Sequence, residues 1–193
     1  MTQLGFYFDA RNCIGCRTCQ IACKDRNDLA VGTLFRTVKT YETGVYPNPR
    51  MYHYVSSCNH CANPACVGVC PTGAMYKDEE TGVVLHNDEE CIGCQSCANA
   101  CPYEVPQYIE ELKVVHKCDT CKSIRDAGGN PTCVDACIAR VLHFGDLDEL
   151  RATYGDDCVS ELPCLPSAAT TEPSVLIKAK DCMLEDEFVE ALM

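Results

Sequence analysis

Sixteen of the nineteen cysteines in this 193-residue chain fall into four groups of four. They are Cys13, Cys16, Cys19 and Cys23; Cys58, Cys61, Cys66 and Cys70; Cys91, Cys94, Cys97 and Cys101; and Cys118, Cys121, Cys133 and Cys137. Each group opens with C-x2-C and closes with C-x3-C, and only the middle gap varies, with two, four, two and eleven intervening residues. Closely spaced cysteines let one tight loop reach three corners of a compact metal–sulfur object, while the fourth ligand comes from elsewhere. A cubane 4Fe–4S cluster makes that demand. Structural zinc is the competing use of four cysteines, but it takes two separated C-x2-C pairs and needs no closing C-x3-C. All four groups are complete, so four 4Fe–4S clusters are the expected cofactors.

In two-cluster ferredoxins the last cysteine of each run ligates the other cluster. Groups two and three are separated by twenty residues and are each followed by proline (Pro71, Pro102), whereas Lys24 and Ile138 follow groups one and four. The simplest reading is an α+β fold of two nested two-cluster ferredoxin-like units, one inserted in the other, with a C-terminal extension. The outer unit is expected over 1–50 and 112–145, the inner over 51–111, and a C-terminal helix and tail over 146–193. Ligand exchange then predicts four sets: Cys13, Cys16, Cys19 with Cys137; Cys118, Cys121, Cys133 with Cys23; Cys58, Cys61, Cys66 with Cys101; and Cys91, Cys94, Cys97 with Cys70.

The elements that must position these loops are short. Leu4–Asp9 reads as a strand before group one, and 18–28 as a helix. Val83–His86 and Leu112–Val115 read as strands, and Asp126–Pro131 as a loop within group four. Leu147–Tyr154 reads as a helix, followed by a proline-bearing tail ending in an acidic helical segment. Gly15 and Gly93 lie inside C-x2-C turns, where a chain wrapping a cluster needs permissive dihedrals.

The net charge of −12 disfavours nucleic acid. Residues 1–9 lack a secretory signal pattern, no arginine pair occurs, and no stretch is apolar enough for a membrane span. The expectation is synthesis in the reducing cytosol, where thiols stay free for metal. Tryptophan is absent and aromatics are 7% of residues, so cofactors are expected to organise much of the core.

The order and spacing of the cysteines resemble the iron–sulfur subunits of dimethyl sulfoxide reductase-type molybdoenzymes. So do C-K-D at 23–25, S-C-N-H-C at 57–61, C-P-T-G-A-M at 70–75, C-P-Y-E-V-P-Q-Y at 101–108, K-C-D-T-C at 117–121 and F-G-D-L-D-E-L-R at 144–151. The resemblance covers residues 4 to 154. It implies a non-catalytic subunit that relays electrons between a quinol-oxidising membrane anchor or soluble donor and a molybdopterin-containing catalytic subunit of an anaerobic reductase. It further implies association with the membrane through partners, and export alongside a twin-arginine-bearing catalytic subunit. Some relatives have tryptophan at the position of Cys94 and carry a three-iron cluster; cysteine here implies a full cubane.

Arg17, Lys24, Lys117 and Lys122 flank ligands and are candidate tuning cations, because positive charge near cluster sulfur raises the potential. His60 is expected to hydrogen-bond near a cluster rather than ligate it. Cys158, Cys164 and Cys182 are expected to be free thiols. No nucleotide loop or nucleophile–base arrangement is present, so no catalytic residue is named. The competing reading is a free soluble polyferredoxin shuttling electrons between enzymes, which the acidic charge would suit.

Overall fold

The computed structural model describes residues 2–191. Its first strand, β1 (Leu4–Asp9), carries Phe6, Tyr7 and Phe8, all nearly inaccessible to solvent. A strand apolar on both faces belongs in the middle of a sheet. It lies there, antiparallel to β8 (Leu142–Asp146) and parallel to β9 (Val175–Lys178). Helix α6 (Leu147–Tyr154) starts where the Asp146 carboxylate accepts the Asp148 and Glu149 N–H groups, and Tyr154 stacks on Tyr7 at 3.9 Å.

A second layer is the hairpin β2 (Thr37–Thr43) and β3 (Arg50–Ser56), whose Tyr41 and Tyr52 stack at 5.2 Å. The cysteine groups carry short helices. They are α1 (Thr18–Arg26), α2 (Ala65–Gly68), α3 (Ser96–Ala100), α4 (Lys122–Asp126) and α5 (Thr132–Asp135). Helices of four or five residues cannot stand alone, so their packing defines them. Helix α1 packs on α5, and α2 on α3. The central segment adds two small hairpins, β4 (Met75–Lys77) with β5 (Val84–His86) and β6 (Gln107–Ile109) with β7 (Val114–His116).

Two expectations change. The C-terminal segment is not a loose tail. Strand β9 joins β1, the Glu172 and Thr171 carbonyls accept N–H bonds from Ala62 and Asn63, and Ser174 N donates to the Asn59 carbonyl at 2.9 Å. Its acidic end is not a helix of the α type: a 3-10 turn at Asp181–Leu184 leads to β10 (Val189–Ala191), which pairs with β2. An open strand edge captured the segment where local propensity favoured a helix. The boundaries at 50/51 and 111/112 fall inside the β2–β3 and β6–β7 hairpins, so backbone hydrogen bonds span both cuts. Among the described residues, no helix is long and apolar enough to cross a membrane.

Candidate metal centres

The third residue of every C-x2-C turn has positive φ: Gly15 (66°), His60 (44°), Gly93 (66°) and Thr120 (61°). This left-handed step directs a backbone N–H back at the first cysteine. Gly93 N donates to Cys91 Sγ and Thr120 N to Cys118 Sγ, both at 3.4 Å. Glycine reaches this region freely, whereas other residues there cost about 1–3 kcal/mol each. At the two non-glycine turns, side chains hold the conformation. His60 is buried and its Nδ1 accepts Val84 N–H at 3.1 Å, and the buried Thr120 hydroxyl donates to the Asp119 carbonyl. A Cβ on Gly93 would lie 2.5 Å from the Lys113 carbonyl oxygen. Gly93→Ala is therefore expected to destabilise the protein by about 1–3 kcal/mol and to lower iron retention at group three. Thermal melts with iron analysis check this.

The fold brings the thiols together in fours. One cavity is lined by Cys13, Cys16, Cys19 and Cys137 with Val38, Val55 and Leu142. Another is lined by Cys70, Cys91, Cys94 and Cys97 with Met75 and Val115. Cys23 faces Cys133 and Cys121, and Cys118 faces Cys23 and Cys133. Cys61 and Cys66 both face Cys58 and Cys101. Cys118 also feels the charge of Cys58, with which it shares one buried cluster.

Burial divides the set. Every group-four thiol is buried, whereas Cys16 and Cys94 are exposed. Exposed Ile14 lines the first of these cavities and exposed Ile92 the second, and Ile138 and Val69, next in sequence to Cys137 and Cys70, are exposed as well. Burial pushes the Cys19 thiol up to about 11 and Cys23 and Cys66 up to about 12, and raises Cys118 well above its ordinary value. A hydrogen bond from Thr18 holds Cys16 below its ordinary value, and hydrogen bonding with Ser96 does the same for Cys94.

Arg36 carries no signal in the sequence, yet it belongs to this site. It is 2% exposed, its guanidinium lies 4.5 Å from the Phe6 ring centroid, and one terminal nitrogen (Nη2) has no protein partner. Burial opposes its charge, but the facing Cys133, Cys118, Cys19 and Cys23 outweigh that and hold it protonated. A buried, unpaired cation is costly unless an anionic group lies beside it. Thiols in fours, N–H groups aimed at sulfur and this buried guanidinium with an unpartnered Nη2 all fit sulfur-ligated anionic clusters.

The flanking cations differ in placement. Lys117 is buried, with its ammonium on the Val84 and Cys118 carbonyls. Arg17 opens α1 in the left-handed conformation. Lys24 instead ties down the Leu29 and Ala30 carbonyls, and Lys122 pairs with Asp126 at 2.6 Å. Those bonds commit the last two ammonium groups away from sulfur. Cys158 packs with Tyr7 and Leu176, and Cys164 and Cys182 lie near Tyr52.

Comparison with known proteins agrees with this chemistry. Residues 49–147 match a family described as a 4Fe-4S dicluster domain, and residues 11–32 match a 4Fe-4S binding domain. The protein is 44% identical over 187 residues to the B chain of anaerobic dimethyl sulfoxide reductase from Haemophilus influenzae, covering 92% of this sequence and 90% of that one. It is 43% identical over 185 residues to the corresponding B chain from Escherichia coli, covering 92% and 89%. The B subunit of sulfite dehydrogenase from Allochromatium vinosum is 38% identical over 170 residues, covering 77% and 71%. With its cysteine centres and these relatives together, the protein belongs to the family of 4Fe–4S electron-transfer subunits, the B chains, of dimethyl sulfoxide reductase-type complexes.

Proposed function

We propose that the chain holds four 4Fe–4S clusters in two nested ferredoxin-like units. They form the electron path between a molybdopterin-containing catalytic subunit and a quinol-oxidising membrane anchor or soluble donor. Cys13, Cys16, Cys19 and Cys137 would hold one cluster, and Cys118, Cys121, Cys133 and Cys23 its neighbour. Cys58, Cys61, Cys66 and Cys101 would hold the third, and Cys91, Cys94, Cys97 and Cys70 the fourth. Each bound cluster supplies a one-electron redox centre.

One observation carries this reading: the group-four thiols are all buried, whereas Cys16 and Cys94, in two separate cysteine-lined cavities, are exposed. Cys58 and Cys118 lie in one buried cluster and the charge of one acts on the other, which supports an order of one, four, two, three for the sets. On this reading group four, buried throughout, sits inside the relay, and the exposed Cys16 and Cys94 belong to its two terminal clusters. Exposed Ile14 and Ile138 near one pair of cysteines, and Ile92 and Val69 near the other, would supply apolar surface for partners at both ends. By family resemblance the Cys16 end faces the catalytic subunit and the Cys94 end faces the donor. The same resemblance supports export, folded and loaded, alongside a partner that carries the targeting signal.

Anaerobically purified protein is expected to contain about sixteen irons and sixteen acid-labile sulfides per chain. Stoichiometric zinc with little sulfide would overturn the reading. Twelve of each would remove one set from it.

A further inference from the structure

Two histidines and an aspartate outside the cysteine groups converge on one point. His86 ends β5, Asp88 opens the 3-10 turn that follows (Asp88–Glu90), and His116 ends β7. His86 Nδ1 lies 2.9 Å from Asp88 Oδ1, and His116 Nε2 lies 2.9 and 3.0 Å from the two Asp88 oxygens. One donor atom from each residue falls within 4.8 Å of the others. In tetrahedral zinc sites, ligands at 2.0–2.1 Å from the ion are roughly 3.3 Å apart. An ion therefore needs each histidine–carboxylate pair to open by only a few tenths of an ångström, while the two imidazole nitrogens already lie within 4.8 Å of each other.

The surroundings suit a cation. The Asp88 carboxylate is 55% exposed, its ion pairs are with the two imidazoles, and Glu89 and Glu90 follow it in the same turn. The lysines lining the adjoining cleft are engaged elsewhere, Lys117 on backbone carbonyls and Lys122 on Asp126. That cleft, about 280 Å³ and also lined by Asn27, Tyr76 and Asp119, leaves room for water to complete a coordination shell. Two imidazoles with one carboxylate select borderline ions; calcium and magnesium prefer all-oxygen sites.

We propose that His86, Asp88 and His116 form a mononuclear site for a late first-row divalent ion, of which Zn2+ is the test case. The ion would clamp the β4–β5 hairpin to the β6–β7 hairpin. His86 also lines the cavity of Cys70, Cys91, Cys94 and Cys97, so the clamp would brace the wall of that centre.

The test uses the full chain with its clusters loaded, held anaerobically, given one equivalent of Zn2+ and then passed over a weak chelator. Zinc X-ray absorption is expected to show nitrogen and oxygen at about 2.0–2.1 Å and no sulfur near 2.3 Å. Asp88→Asn, a change at an exposed side chain, and His116→Gln are each expected to weaken zinc binding at least roughly tenfold with iron and sulfide unchanged. The proposal is overturned if zinc is not retained, if Asp88→Asn retains it equally, or if sulfur appears in its shell. The last result would place the ion at displaced cysteine ligands. Iron and sulfide in the same samples report separately on the cluster assignment.

Discussion

Replacing Arg36 by methionine is expected to lower the potentials of the two clusters assigned to groups one and four by on the order of 100 mV. The clusters of groups two and three should stay near their original values. Arg36 is fully enclosed and faces Cys19, Cys23, Cys118 and Cys133, thiols assigned to those two outer clusters. Reduction adds negative charge, so a nearby fixed cation stabilises the reduced state and raises the potential. A unit charge at about 4–8 Å, with an effective dielectric constant of about 20, contributes roughly 2–4 kcal/mol. Methionine fills similar space without charge, and lysine restores charge without the planar fork. Arg36→Lys should therefore recover much of the shift. Redox titration followed by paramagnetic resonance checks this, with iron content as the control for cluster loss. Equal shifts at all four clusters, or none, would show that Arg36 is only a packing residue.

Loss of a ligand at the end of the relay is expected to be mild, and loss at its junction severe. Cys94 is exposed, and hydrogen bonding with Ser96 holds its thiol below the ordinary value. Cys94→Ala should leave a folded chain with about fifteen irons and a new paramagnetic signal from an oxidised three-iron centre. Cys118 is buried beside Cys23, Cys133 and Cys58. Cys118→Ala should shed about four irons and destabilise the protein by several kcal/mol, because metal binding in such a domain is folding free energy. It should abolish turnover with the physiological donor. A chain lacking the group-three cluster altogether, Cys91→Ala with Cys94→Ala, tests orientation. Turnover with the physiological donor should fall to background, while a small artificial donor entering nearer the catalytic chain should still support it. Unimpaired physiological turnover in this variant would reverse the orientation.

The cysteine groups were legible because their ligand spacing is local: C-x2-C turns and C-x3-C closures are written in consecutive residues. Strand β1 and helix α6 were legible for the same reason, one from a run of apolar and aromatic side chains and the other from a single helical stretch. Gly15 and Gly93 announced the left-handed step of their turns. His60 and Thr120 occupy the equivalent step without announcing it, because the bonds that stabilise it are visible only after folding, Val84 N–H to His60 among them.

Other features depend on residues far apart in the chain. Arg36 belongs to no motif or periodic run, and only the convergence of α1, α5 and β1 encloses it among thiols. Asp88 and His116 are 28 positions apart and meet because two separate hairpins end side by side. The run Val175–Lys178 has an apolar pattern, but its partner is β1, near the opposite end of the chain. The amino-acid sequence by itself determined the ligand chemistry, since thiol type and local spacing suffice for it. Only the tertiary structure decided which charges are buried and which strand captures the C-terminal segment. Burial and edge pairing are set by contacts between distant segments, and no local pattern encodes them.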